Sequence, residues 1–289
     1  MSESIATPIY LVGDVHGHLK KLLVLLQRAQ LIDSQQRWSG GRARLWFLGD
    51  FVDRGPQGIA VVEFVMRLQQ EAAAVGGRVE ALLGNHELLL LAAYRFGRRS
   101  TGLGSNFLTR WRRNGGQRAD LAALRQHHLD WLQQLPAMAL VADHLLIHAD
   151  APLYLRCGRT LEEVNASFSH LLRHSDALVW EETLEDFGAR GLFANPFVGT
   201  EMAQRFLRTF GGRYLVHGHT PISFLTGQAA GRILDPWIYA GGLCINIDGG
   251  LHLGGAGLVY QLRSARHSPA ADSHDEPVPG QPALRAAAS

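Results

Sequence analysis

Three times within its first ninety residues the chain runs from a short apolar segment into a glycine and then into a polar cluster: "PIYLVGDVHG" (8–17), "ARLWFLGDFVDRG" (43–55) and "RVEALLGNHE" (78–87). Behind each cluster follows a run with the apolar spacing of a helix: "HLKKLLVLLQRAQL" (18–31), "GIAVVEFVMRLQQEAAA" (58–74) and "ELLLLAAYRF" (87–96). Strand, tight turn and helix repeated in this order predict an α/β protein built on a mixed, mainly parallel sheet. In such sheets ligands sit beyond the carboxyl ends of the strands, which is where all three polar clusters fall.

Further along, "ADLAALRQHHLDWLQQL" (119–135) reads as one amphipathic helix, and "AMALVADHLLIHAD" (137–150) as a hairpin ending at His148. "RYLVHGHTP" (213–221) repeats the strand-then-polar-loop pattern, and "LCINIDGG" with "GAGLVYQL" predicts a closing hairpin. From Ser264 onward the chain carries four of its eleven prolines and almost no large apolar side chain, so residues 264–289 are expected to form a disordered tail behind a catalytic domain spanning 1–263.

Composition excludes several classes. No run of eighteen apolar residues marks a membrane span, and "MSESIATPIY" lacks the pattern of a signal peptide, so a cytoplasmic protein is expected. Cys157 and Cys244 are too few for a disulfide framework or a thiolate zinc site. Lys20 and Lys21 are the only lysines among 28 basic residues, which argues against lysine-based nucleophilic or phosphate chemistry. A net charge of +2 gives little drive toward nucleic acid.

The strand ends present Asp14 and His16; Asp50, Asp53 and Arg54; Asn85, His86 and Glu87; His148; and His217 with His219. Carboxylate, imidazole and amide oxygen together suit borderline divalent metals such as manganese, iron or zinc. Asp-x-His in "GDVHG" can aim two ligands the same way, and Asp50 on the neighbouring strand can give one oxygen to each of two ions. Two such ions roughly 3.5–4 Å apart generate a nucleophilic hydroxide and clamp an in-line displacement. Glycines at each cluster permit sharp turns and Pro56 stiffens one exit. Arg54 offers a planar two-pronged donor for phosphate oxygens.

The ordered series GDVHG, GDFVDRG, GNHE, a later strand-end histidine and a later Gly-His resembles the calcineurin-like metallophosphoesterase superfamily, in its phosphoprotein phosphatase branch. Within that branch the chain is similar to the lambda-type bacterial and phage phosphatases and to diadenosine tetraphosphate hydrolases, over residues 8–262. The resemblance implies a four-layer α/β/β/α sandwich with mixed sheets. It implies that Asp14, His16 and Asp50 hold a first metal, and that Asp50, Asn85, His148 and His219 hold a second. His86 would be the general acid, Asp53 would orient it, and Arg54 and Asn85 would contact the phosphate. Two divalent ions are implied, manganese first, with iron or zinc as alternatives. The expected activity is that of a metal-dependent phosphoric ester hydrolase using a metal-bridging hydroxide on phosphoserine, phosphothreonine or small phosphate esters. The alternatives are a diadenosine polyphosphate hydrolase, with a nucleotide as substrate, and an inactive metal-binding interaction module. Neither a membrane nor nucleic acid is expected as the main partner.

The pattern is loose in places. "HADAP" puts Asp150 where many relatives carry glycine, either near the metals or, as favoured here, as a turn cap. Pro221 stands where the wider superfamily often has one further histidine, leaving the first metal with fewer protein ligands. Arg190 is the candidate for a second phosphate-binding arginine, with Arg156 and Arg213 as alternatives. His217 reads equally as a residue behind the metal ligands or as a satisfied core histidine, and His18 as the solvent-facing start of a helix. His252 shows no ligand spacing and is expected to be structural or exposed; Asp248, in "NIDGG", reads as scaffold. Residues 94–118 hold seven arginines among aromatic residues and divide evenly between scaffold and substrate-recruiting surface.

Overall fold

The computed structural model describes residues 7–102, 104–174 and 176–262, so the tail expected from Ser264 onward lies outside the described residues. Strands β1 (Ile9–Val12), β2 (Arg44–Phe47) and β3 (Arg78–Ala81) alternate with helices α1 (Leu19–Arg28), α2 (Gly58–Ala74) and α3 (Asn85–Phe96), as the repeated pattern predicts. Helices α4 (Phe107–Arg113), α5 (Arg118–Ala123) and α6 (Gln126–Leu132) come next, then the hairpin β4 (Met138–Val141) and β5 (His144–Ile147). Helices α7 (Tyr154–Cys157), α8 (Leu161–Arg173), α9 (Ala177–Phe187) and α10 (Gly199–Phe210) lead to β6 (Tyr214–His217). The described chain closes with α11 (Ile222–Thr226), β7 (Trp237–Tyr239), β8 (Cys244–Asn246) and β9 (Val259–Gln261).

The strands form two mixed sheets, one in the order β3-β2-β1-β9 and one in the order β4-β5-β6-β8-β7. Strand periodicity explains how they stack. Leu11, Trp46, Leu48 and Leu82 from the first sheet cluster with Leu146, Val216, Ile245 and Ile247 from the second. Their neighbours in sequence, Val12, Leu45, Phe47, Leu145 and Leu215, join the helical core instead. Each sheet is therefore covered by the other sheet on one face and by helices on the opposite face, the four-layer α/β/β/α arrangement.

Two local expectations are corrected. The helix expected over 119–135 is broken: Leu124 is extended (φ −58°, ψ 133°) between α5 and α6. The break lets Asp120 turn inward to accept the Ile59 amide at the start of α2, while His128 Nδ1 accepts the Arg125 amide that opens α6. The closing hairpin is also different. Strand β8 pairs with β6 and with β7, whereas β9 crosses to the first sheet and pairs antiparallel with β1. The glycine-rich stretch 249–257 is thus a connection between sheets, and it passes over the strand ends where the polar clusters converge.

Candidate metal centre

The polar clusters sit on backbone that is bent to hold them. Nine non-glycine residues among those described have positive φ, and five are site candidates: His16, Asp50, Asp53, Arg54 and His219. Such conformations are costly for L-residues and persist where the surroundings enforce them. One enforcing group is Glu87, wholly buried, whose carboxylate accepts the amides of Asp50 (2.8 Å), Phe51 (2.8 Å) and Gly84 (3.0 Å). The glycines contribute close approach as much as turning. A Cβ on Gly84 would collide with the Asp50 carboxylate, and one on Gly13 would lie 2.6 Å from the Ile247 carbonyl oxygen.

Three histidines are locked in one orientation by backbone carbonyls. His16 Nδ1 faces Val52 O at 3.1 Å, His148 Nδ1 faces Leu48 O at 2.9 Å, and His219 Nε2 faces Ala189 O at 3.1 Å. Burial lowers the pKa of all three below the usual histidine value, so each ring is neutral and carries one proton, on the nitrogen that meets the carbonyl. The other nitrogen of each ring then offers a lone pair inward. His16 Nε2 points at Asp14 Oδ2 (3.7 Å) and Asp50 Oδ2 (3.5 Å). His148 Nε2 points at Asp50 Oδ1 (3.3 Å) and Asn85 Oδ1 (3.0 Å), and His219 Nδ1 meets the same Asn85 oxygen at 2.9 Å.

Acceptors therefore face acceptors. Asp14 Oδ2, Asp50 Oδ2 and Asp248 Oδ2 are buried without a hydrogen-bond partner. A bound cation relieves such a convergence, and the donors, one carboxylate with an oxygen turned to each set, suit borderline divalent ions. Anchoring each imidazole by its outer N–H is also how metal-ligating histidines are usually fixed. The residues thus fit the metals that the fold implies. Asp50 occurs in both donor groups, with His16 and His86 on one side and His148 and His219 on the other.

The charges bear out the crowding. Burial, Asp248 and Asp50 hold Asp14 well above the usual carboxylate range, and burial pushes Asp248 to about 6. Burial also acts on Asp50, but His148, His86 and Arg54 outweigh it and hold its carboxyl below the usual value.

Beside this centre stands His86. Its Nδ1 meets Asp53 Oδ2 at 2.8 Å, and the second oxygen of Asp53 accepts the indole N–H of Trp111 at 2.7 Å. Arg54 donates from Nη2 to His86 Nε2 (3.1 Å) and from Nη1 to His252 (2.6 Å to Nε2). A guanidinium is only a donor, so both ring nitrogens receive.

The six proposed ligands, together with His86, Asp53 and Arg54, come from loops after five strands and meet in one place. Arg190 also arrives there, donating to the His219 carbonyl. Its alternatives lie elsewhere: Arg156 pairs with Asp186, and Arg213 lies over the ring of Tyr214. Asp150 accepts the Gly191 amide and the Thr220 hydroxyl, tying together the two loops that carry Arg190 and His219. His217 is a satisfied core histidine, bonded to Gly218 O and the Tyr239 hydroxyl. From the arginine-rich segment, Trp111 is fully buried and Gly115 O accepts the Arg54 amide, so part of it is scaffold for the site.

Sequence reasoning missed two residues. His252, expected to be structural or exposed, faces Arg54 and meets the His16 ring edge-on at 4.7 Å. Asp248, read as scaffold, presents an unpartnered oxygen to the same charge cluster. Neither shows ligand spacing: Asp248 stands just after β8, and His252 reaches the site through tertiary return of the 249–257 connection. The acid and the histidine within "NIDGGLH", Asp248 and His252, are the one signal that could have drawn attention.

The calcineurin-like phosphoesterase family profile matches residues 7–223. Shewanella-like protein phosphatase 2 of Arabidopsis thaliana is 38% identical over 78 residues, covering 27% of this chain and 20% of that protein. A symmetrical bis(5'-nucleosyl)-tetraphosphatase of Bordetella pertussis is 36% identical over 141 residues, 49% of this chain and 43% of the relative. The chain thus matches about half or less of the length of these curated relatives. Among solved structures, the cold-active protein-tyrosine phosphatase of a psychrophilic Shewanella superposes with a TM-score of 0.66 at 23% identity, covering 89% of this chain and 75% of that one. A serine/threonine phosphatase from Saccharomyces cerevisiae gives 0.56 at 17% identity, covering 95% and 78%. These last two likenesses are of fold.

Proposed function

The chain belongs to the calcineurin-like phosphoesterase family, and from that premise we propose that it is a metal-dependent phosphoric ester hydrolase acting on phosphoserine, phosphothreonine or small phosphate esters. The observation that carries the reading is the convergence of three imidazoles, each anchored by its outer nitrogen to a backbone carbonyl, on carboxylate and amide oxygens, of which Asp14 Oδ2 and Asp50 Oδ2 are buried without a hydrogen-bond partner. Asp14, His16 and Asp50 would hold one divalent ion, and Asp50, Asn85, His148 and His219 the other, with manganese proposed for both. Bound there, the ions would supply a water of lowered pKa as nucleophile and would neutralise charge on the phosphoryl oxygens.

The remaining chemistry is the protein's own. Arg54 binds the phosphoryl group with its planar fork, Asn85 contacts it, and Arg190, held at the His219 carbonyl, adds a second cation. When the anion draws Arg54 Nη2 away from His86, the Nε2 of that ring is free to carry a proton. Asp53 then steadies the imidazolium through Nδ1, and Nε2 delivers the proton to the leaving alkoxide. Trp111 keeps Asp53 turned toward His86.

A second reading is a diadenosine polyphosphate hydrolase, supported by the Bordetella pertussis relative that bears the tetraphosphatase name. A substrate panel separates them. Manganese-dependent release of phosphate from phosphopeptides faster than release of ADP from diadenosine tetraphosphate supports the first reading; the reverse order supports the second. Turnover of neither, with metal bound, supports an interaction module. No helix among the described residues is long and apolar enough to cross a membrane, and both cysteines are free thiols, in keeping with the cytoplasmic setting proposed.

A further inference from the structure

Arg54 is tied down at its backbone, where its amide donates to Gly115 O at 2.8 Å, but its long side chain must be held by something else. Freezing an arginine side chain gives up a large rotamer entropy. The residue that meets its Nη1 is His252, 198 positions away in sequence.

The turn that presents His252 is itself braced. Lys21, one of the two lysines, donates from Nζ to Leu251 O (2.7 Å) and Gly255 O (3.3 Å), the carbonyls that flank the histidine on either side. Asp248 Oδ1 accepts the Gly250 amide at 2.9 Å. Gly250 (φ 67°) and Gly254 (φ 94°) bound the single 3-10 turn Leu251–Leu253 in left-handed conformations, and a Cβ on Gly255 would collide with the Gly249 carbonyl. The His252 ring rests edge-on against His16 at 4.7 Å. A compact ammonium fits between two carbonyls of a tight turn, a place where the broad arginine fork used almost everywhere else in this chain is the wrong shape.

We propose that His252 is a positioning residue for Arg54: an imidazole acceptor, held by the Lys21-braced turn, that fixes one prong of the guanidinium while the other passes from His86 to a phosphoryl oxygen. The proposal rests on the reading of Arg54 as the phosphate-binding arginine. It makes His252 a determinant of anion affinity more than of the chemical step, because neither His86 nor Asp53 bonds to it and its contact with the metal ligands is the edge of the His16 ring.

The test compares metal-loaded wild type with His252→Ala, His252→Gln, Lys21→Met and Arg54→Ala. The readouts are KM and kcat for p-nitrophenyl phosphate and, independently of turnover, the dissociation constant for inorganic phosphate by calorimetry. His252→Ala is expected to raise KM and weaken phosphate binding by about tenfold, the size of one hydrogen bond to a charged group, with kcat within about threefold of wild type. His252→Gln, which restores an acceptor, recovers most of that loss, and Lys21→Met shifts the same two constants in the same direction by less. Unchanged phosphate affinity in His252→Ala, a fall in kcat alone, or glutamine no better than alanine overturns the role of His252. Should Arg54→Ala itself bind phosphate like wild type, the assignment of Arg54 fails instead, and the proposal for His252 with it.

Discussion

The indole N–H of Trp111 and the carboxylate of Asp53 meet at 2.7 Å in a fully buried contact, and that same carboxylate faces His86 with its other oxygen. A residue from the arginine-rich segment therefore fixes the partner of the proposed general acid. Trp111→Phe keeps most of the packing and removes this donor. We expect a loss of about 1–3 kcal/mol in stability and a several-fold drop in kcat, larger for alkyl phosphates than for p-nitrophenyl phosphate, with metal content unchanged. Equal losses on both ester types would separate Trp111 from the acid function.

For His86 itself, His86→Asn should retain bound metal and lose about 10²–10⁴-fold in turnover of esters with poor leaving groups. Esters whose leaving group departs without a proton should suffer much less. A uniform loss across leaving groups, or loss of metal, would contradict the acid role and favour one in shaping the centre.

Glu87 accepts four amides while sealed from water, and burial together with Asp50 raises its pKa to about 8. Glu87→Gln keeps the shape but leaves one acceptor oxygen where two stood. About 1–3 kcal/mol of stability should be lost in urea melts, the cost of leaving a buried amide without its acceptor. The variant should also bind metal more weakly, because the loop bearing Asp50 is set by these bonds. Unaltered melts would show that these bonds do not hold the loop bearing Asp50.

Proton linkage predicts an opposed pH dependence for metal-free and metal-loaded protein. Asp14 is raised well above its usual value, Asp248 to about 6 and Glu87 to about 8, all by burial first. A carboxyl whose folded pKa exceeds its unfolded one lends stability that is complete below the unfolded value and is lost as pH rises through the folded value. The buried histidines act the other way: their lowered pKa values lend stability above about 6.5 that is lost as pH falls. Between about pH 4 and 6.5 the two sets oppose each other, whereas from about pH 6.5 to 8 only the carboxyl loss remains. The midpoint of thermal unfolding with chelator present should therefore fall over that upper range. Metal binding needs ionised carboxylates and neutral imidazoles, so the rise in that midpoint on adding manganese should grow over the same range. A manganese effect independent of pH would contradict the proposed ligand set.

Much of this was legible in residues 8–87, because strand, glycine, cluster and helix are local in sequence and each cluster lies at a strand end. Asp14, His16, Asp50, Asn85 and His86 fall into place for that reason, and His148 and His219 repeat the pattern. The break at Leu124 was hidden, since the apolar spacing on either side of it suits a single helix, and only the inward turn of Asp120 toward Ile59 reveals the cost of continuing. The parting of β8 from β9 was hidden too: two short apolar strands joined by glycines look like a hairpin whether or not they pair. Missing that crossing meant missing His252, whose place depends on where the connection runs. Nor could sequence show that Val52, Leu48 and Ala189 lend carbonyls to fix three imidazoles, because every residue has one.

The central claim is that one carboxylate, Asp50, serves two cations, and metal content measured alongside turnover tests it most directly. Protein reconstituted with manganese and freed of excess should hold two ions per chain and hydrolyse p-nitrophenyl phosphate, while Asp50→Asn should hold fewer than one and be nearly inert. Two ions retained in Asp50→Asn with turnover intact, or wild-type protein that binds none, would contradict it.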